Sequence, residues 1–258
     1  MLLAVDTFFS RSGLAEWGFR WLHILAGITW IGLLYYFNLV QVPAFAEFEQ
    51  HDGGARARNI ALDKVARKAL WWFRWAAVST FVTGLLIAGL TKDFFTNNNA
   101  ELTGISMGML LGTIMLLNVW GVIWRNQKIV LANAVTVLGG GAPNPDAAVA
   151  GRRAFMASRQ NVVFSVSMLF FMVFAAHSPY ALAEMTGGTK AGFWIIGLVL
   201  VAILELNALG LMPWKTAPKK GLNILYETPR NTIIAAFGLW VVFLILAEVF
   251  LNSGNVPA

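Results

Sequence analysis

The residues best suited to hold a metal or move an electron are the three histidines, His23, His51 and His177. His51 lies among charges in a loop and reads as solvated. His23 and His177 sit in apolar stretches, where an ionisable side chain is costly unless something binds it. Two neutral imidazoles facing each other across a bundle can hold a b-type haem, one on each face of the iron. Gly27, four residues after His23, would leave room for a porphyrin edge. Arg20, at the end of the same helix, could pair with a propionate. Zinc or copper would need a third ligand at that level, which Glu248 could supply. The plainer alternative is that both rings cap helix ends or bind water.

Asn38, Arg74, Asn118, Glu205 and Asn207 are further polar residues inside apolar segments. Arg74 and Glu205 fall toward the same side, which predicts an ion pair within the membrane. That pair is either structural or part of a substrate or proton pocket, for which Arg74, Glu205, Asn38 and Asn118 are the candidates. Gly104, Gly108 and Gly112 form a GxxxGxxxG row, whose bare face lets another backbone approach closely or leaves room for a flat cofactor. Met107, Met109, Met115, Met168 and Met172 read as packing rather than axial ligands. No phosphate-binding, dinucleotide, HExxH or nucleophile-elbow pattern is present.

The elements that must position these groups follow from composition. Hydrophobic residues make up 58% of the chain and charged ones only 12%, against about 25% in soluble domains. Six apolar segments reach spanning length, at about 20–42, 70–90, 104–124, 161–182, 191–212 and 232–251. They predict an all-α integral membrane protein, one bundle of six transmembrane helices occupying residues 1–258. The stretch at 129–138 is apolar but too short to span, which predicts an interfacial helix or one lying against the bundle. The N-terminus lacks the basic start and cleavage site of a signal peptide, so the first span is expected to be retained. With no cysteine, the chain holds no disulfide, thiolate metal site or covalently attached c-type haem.

Lys and Arg cluster in the loops at 43–69, 125–160 and 213–231, and are sparse in those at 91–103 and 183–190. The positive-inside rule then puts the three basic loops in the cytoplasm and both termini outside. The net charge of +6 is thus a topology signal and not a nucleic-acid surface. The tryptophans, from Trp17 and Trp21 through Trp30, Trp71, Trp72 and Trp75 to Trp120 and Trp124, mostly fall near the predicted interfaces, as an aromatic belt does. In this orientation His23 begins span one near the outer face. His177 comes sixteen residues after Asn161, about 24 Å along a helix that crosses a core of about 30 Å. Both imidazoles therefore fall at a similar depth.

Four blocks carry a resemblance: RWLHILAGITWIGLLYYFNLVQVPAF, ALDKVARKALWWFRW, GISMGMLLGTIMLLNVWGVIWRNQKIV and SRQNVVFSVSMLFFMVFAAHSPY. Together they span most of residues 20–180. They resemble the membrane domain of the bacterial PuuD family, membrane-bound urate oxidases that typically carry a fused C-terminal cytochrome c domain. The resemblance implies a multi-pass protein of the bacterial inner membrane that oxidises urate. A cytochrome c domain needs a CxxCH motif, which this chain lacks, so it is expected to be a stand-alone membrane domain. Its electrons would then pass to an external cytochrome c or another membrane-complex subunit. A non-catalytic accessory subunit of a larger membrane complex is the competing expectation. A transporter fits less well, because the spans show no paired broken helices and no inverted repeat.

Overall fold

The computed structural model describes residues 9–10, 13–91, 94–96, 99–178 and 184–252, with the side chains of residues 15, 16, 175 and 176 left aside. Arg11 and Lys92, both counted in the charge alternation, lie outside the described residues. Among the described residues, six helices are long and apolar enough to cross a membrane: α1 Trp17–Phe48, α2 Gly54–Leu90, α3 Ala100–Leu138, α4 Ala147–His177, α5 Gly187–Ala208 and α6 Pro229–Leu251. Their starts are set by local chemistry. The Asn99 side chain accepts from the Leu102 N–H, Thr186 from Thr189 and Thr228 from Asn231, each satisfying an otherwise unpaired first-turn donor. Pro229 occupies the first turn of α6, where its missing N–H costs nothing.

The helix α4 is the axis of the bundle. About two thirds of its apolar window is buried (67%), against 28–33% in the other five. Its Phe171 meets Phe193 of α5 and Phe243 of α6 edge-on, with ring centres 5.9 and 5.3 Å apart. Tyr35 and Asn38 of α1 reach it through hydrogen bonds to Ser165 and Ser158. The glycine row of α3 packs on the same helix: a Cβ on Gly104 would lie 2.7 Å from the Phe174 ring, and one on Gly108 would lie 3.0 Å from Cβ of Phe171. The bare face is therefore used for helix packing, not left open for a flat cofactor. The outward faces of the other helices carry exposed apolar side chains, among them Ile28, Leu85, Ile195, Val199, Ile234 and Ile245, as lipid contact requires.

Two expectations are corrected. The apolar stretch at 129–138 is no separate interfacial helix: it continues span three through the π-helical turn at Asn118–Ile123, giving α3 39 residues, and it lies against the bundle, as the other expectation had it, with Leu131 and Ala134 buried. At 1.5 Å per residue a helix of that length is nearly twice as long as the hydrocarbon core is thick. The helix α2, with 37 residues, overshoots in the same way. Trp30 leaves the aromatic belt: it is 2% exposed, inside the core, whereas Trp17, Trp21, Trp71, Trp72 and Trp75 are exposed.

Among the described residues, five π-helical turns occur in four helices, at Leu14–Phe19, Tyr36–Gln41, Leu62–Ala66, Asn118–Ile123 and Ala247–Leu251. The second ends just before Pro43, which has no N–H to return to the carbonyl four residues back.

The charge alternation carries a direct expectation. In a chain with no native cysteine, Asp52→Cys should react with an impermeant thiol reagent only after the membrane is opened. Phe95→Cys should react in intact cells. The opposite labelling pattern would invert the assigned orientation.

Candidate functional site

His23 is half-buried on the face of α1 that meets α2. Its Nδ1 lies 2.8 Å from the Thr80 carbonyl oxygen and 3.1 Å from Oγ1 of Thr83. A carbonyl only accepts, so Nδ1 carries the proton and donates, leaving the Nε2 lone pair available. This is how a metal-binding imidazole is commonly held, with one nitrogen oriented by a carbonyl and the other presented to the metal. Gly84 makes the space for the ring: a Cβ there would lie 3.1 Å from Cε1 of His23. Gly27 faces Thr80 on the same seam, and Arg20 is exposed a turn before the histidine.

The level of His177 follows from the packing of α1 on α4. Tyr35 and Ser165 are hydrogen-bonded at 2.9 Å, and His23 and His177 each lie twelve residues beyond that bond on antiparallel helices. Counted from that bond, the two residues have the same helical rise, about 18 Å. His177 is exposed at the last residue of α4, while the His23 ring is turned onto α2. Nε2 of His23 is the ring nitrogen that would be left to hold a haem iron, whereas His177 is exposed at the end of α4.

At the opposite end, a cavity of about 380 Å³ opens between α1, α2, α3 and the first turns of α4. Three π-helical turns converge on it, supplying Phe37, Asn38 and Gln41, then Leu62, then Ile123. Such turns occur frequently at functional sites. Asn38 is 1% exposed, and both of its hydrogen bonds, to the Leu34 carbonyl and the Ser158 hydroxyl, use the amide nitrogen. Oε1 of Gln41 is buried without a partner. An ion pair of 3.4 Å between Arg58 and Glu49, both well exposed, marks the aqueous side of the cavity.

The expected Arg74–Glu205 ion pair is not formed. The Arg74 guanidinium lies 3.4 Å over the Trp124 ring and 5.2 Å from that of Trp120, and its Nε donates to the Leu70 carbonyl. A cation over an indole face is held without a counter-charge. Glu205 instead accepts from Nδ2 of Asn118, which also donates to Oδ1 of Asn161. Asn207 is fully buried, and its oxygen accepts from the Trp214 indole.

The sequence also hides a buried polar group. Arg159, Gln160 and Asn161 are consecutive in α4 and 1%, 0% and 0% exposed. Arg159 counts as a loop charge in the topology alternation, yet it lies inside the central helix. The segment 209–228 folds over this part of α4, where Tyr226 donates to Oε1 of Gln160. Burial pushes the Tyr226 hydroxyl up, which keeps it a donor at neutral pH. Arg152 forks onto Glu227, with Nη2 to Oε1 at 2.6 Å and Nη1 to Oε2 at 3.2 Å. Burial pushes the Glu227 carboxyl up, but the Arg152 fork and the Lys219 N–H outweigh it and hold it below the ordinary range. The run of Arg, Gln and Asn was the available signal, since three polar neighbours point around most of a helix and at least one had to face inward.

Set against protein-family models, curated proteins and solved structures, the chain matches none of them.

Proposed function

We propose that this protein is a membrane-embedded haem-b redox protein, resembling the membrane domain of urate oxidases and passing electrons to a separate cytochrome-type partner. The observation that carries this reading is the fixed tautomer of His23, whose Nδ1–H is spent on the Thr80 carbonyl while Nε2 is left to bind. A haem bound there would supply one-electron chemistry, and a bis-imidazole site suits electron transfer rather than oxygen binding. The chain's own contribution is to orient the ring through Thr80 and Thr83, to make room for it at Gly84, and to offer Arg20 to a propionate. The resemblance makes urate the reductant, a flat molecule whose ring N–H groups would find acceptors in the cavity at Asn38 and Gln41. Fifteen residues, about 22 Å of helix rise, separate His23 from Asn38, so the two sites do not touch.

Protein purified in detergent should show a reducible Soret band. His23→Ala should lose the haem, and His177→Ala should lose it or turn it high-spin, whereas His51→Ala should leave the spectrum as it was. A colourless native preparation, or a wild-type low-spin spectrum in the double variant His23→Ala/His177→Ala, overturns the reading.

A further inference from the structure

Arg159 is 1% exposed, and Nε and Nη1 of its guanidinium are both buried without a partner. It lies 5.1 Å from the Phe155 ring centre, which supplies a face but no acceptor. The carboxylate whose charge reaches it, Glu227, is already committed to the Arg152 fork and the Lys219 N–H. A buried cation is expected to be paired, because the cost of leaving water is otherwise unrecovered.

One more buried donor accompanies it. The indole N–H of Trp214, which can only donate, holds the oxygen end of the Asn207 amide and so turns its nitrogen to the Tyr226 hydroxyl. Nε2 of Gln160 is unpartnered as well, while Oε1 of that amide takes the Tyr226 hydroxyl. Tyr226 interacts with Asn207 too, so the three side chains meet under the segment 209–228. The unmatched groups of Arg159 and Gln160 are N–H donors, and the covering segment holds one unmatched acceptor, Oδ1 of Asn223.

The covering segment is built for the purpose at some cost. Lys215 and Lys219 hold φ values of 50° and 57°, in the left-handed region that non-glycine residues avoid, and Gly210 and Gly221 hold 74° and 53°. A Cβ on Gly221 would run into the Trp214 indole. The amide of Asn223 pins the segment by donating to the carbonyls of Lys215 and Ala217. Lys215, Lys219 and Lys220 are exposed on its outer surface, giving a positive approach to a positive interior.

We propose that Arg159 and Gln160 form a binding site for one small monovalent anion, chloride or a carboxylate the size of formate, beneath the segment 209–228. An acceptor-only guest of charge −1 satisfies the orphaned donors and neutralises the unpaired guanidinium. The site lies at the basic-loop end and is independent of any cofactor at His23.

The test uses the full chain in detergent and radiolabelled chloride or formate in equilibrium dialysis, at ionic strength held constant with gluconate. The native protein should take up one anion per chain saturably, and its Tm should rise with the logarithm of that anion's concentration. Whichever of the two anions saturates identifies the ligand. Arg159→Gln should weaken the affinity by about tenfold or more, the loss of one charge-assisted contact. Gln160→Met should weaken it less, and His51→Ala should not change it. Absence of saturable uptake by the native protein overturns the proposal, since the donors would then be met by water. Equal uptake by Arg159→Gln overturns it too. Should Arg159→Gln fail to fold, Arg159→Lys, which keeps the charge but not the planar fork, decides the matter through weakened uptake or none.

Discussion

Gly108→Leu should prevent assembly of the bundle. A Cβ at this position would stand 3.0 Å from Cβ of Phe171 and 3.5 Å from the Met168 carbonyl oxygen, atoms fixed to the backbone of α4 that no rotamer change can move away. The branched end of a leucine would have to push α3 and α4 apart along the most heavily buried helix of the protein. Overpacking of a close-packed interior costs about 1–3 kcal/mol and more where backbone must shift; here the expectation is the upper end or beyond. Gly104→Ala should be milder than its distance of 2.7 Å suggests, because the atom met there is the far edge of the Phe174 ring, which can swing. Gly112→Ala is the control. Its Cβ would make an ordinary contact of 3.9 Å with Met168, and alanine gains about 1 kcal/mol of helix propensity over glycine. Thermal melting in detergent should therefore rank Gly112→Ala at or above the native protein, Gly104→Ala below it and Gly108→Leu last. A Gly108→Leu protein that melts like the native one would show that the contact between α3 and α4 is looser than its spacing implies.

The glycine row shows why part of this fold was legible in the sequence and part was not. Depth along a helix follows from counting, since each residue adds about 1.5 Å. Counting placed His23 and His177 at one expected height, each twelve residues from the Tyr35–Ser165 bond. It also placed six spans, because long apolar runs have few other uses. Direction around the helix axis is different, because it depends on which neighbour each face meets. Arg74 and Glu205 shared an expected side of the membrane, yet Arg74 turns onto Trp124 and Glu205 turns to Asn118. Helix ends were misread where polarity rises but helix propensity does not fall. The residues at 54–69 and 125–138 include many Ala, Arg, Lys and Gln, so α2 and α3 continue past the apolar window that announced them. Arg159 was hidden by the same effect in reverse, a charge that read as loop and proved to be core. The acceptors of the cavity depend on π-helical turns, and only Pro43 hinted at the first of them.

Asn118→Leu should be the most damaging change that leaves every apolar contact in place. The Asn118 amide nitrogen is shared between Oδ1 of Asn161, 3.0 Å away, and Oε2 of Glu205, 3.2 Å away. It is the junction of α3, α4 and α5. Removing it leaves a buried amide oxygen on Asn161 and a carboxylate within a spanning helix, each without that donor. An unmet neutral group costs about 1–3 kcal/mol and a charged one more, so a loss of about 3 kcal/mol is expected. The diagnosis rests on the partner. If the damage comes from the stranded carboxylate, Glu205→Leu in the same chain removes the cause, and the double variant should be more stable than the sum of the two single losses predicts. Coupled neighbours typically depart from additivity by about 0.5–3 kcal/mol. Asn161 should remain anchored through its own amide nitrogen, which donates to the Met115 carbonyl at 3.0 Å. Strict additivity of Asn118→Leu and Glu205→Leu in melting experiments would mean that Glu205 finds another donor once Asn118 is gone. The junction would then be a matter of shape rather than of hydrogen bonding.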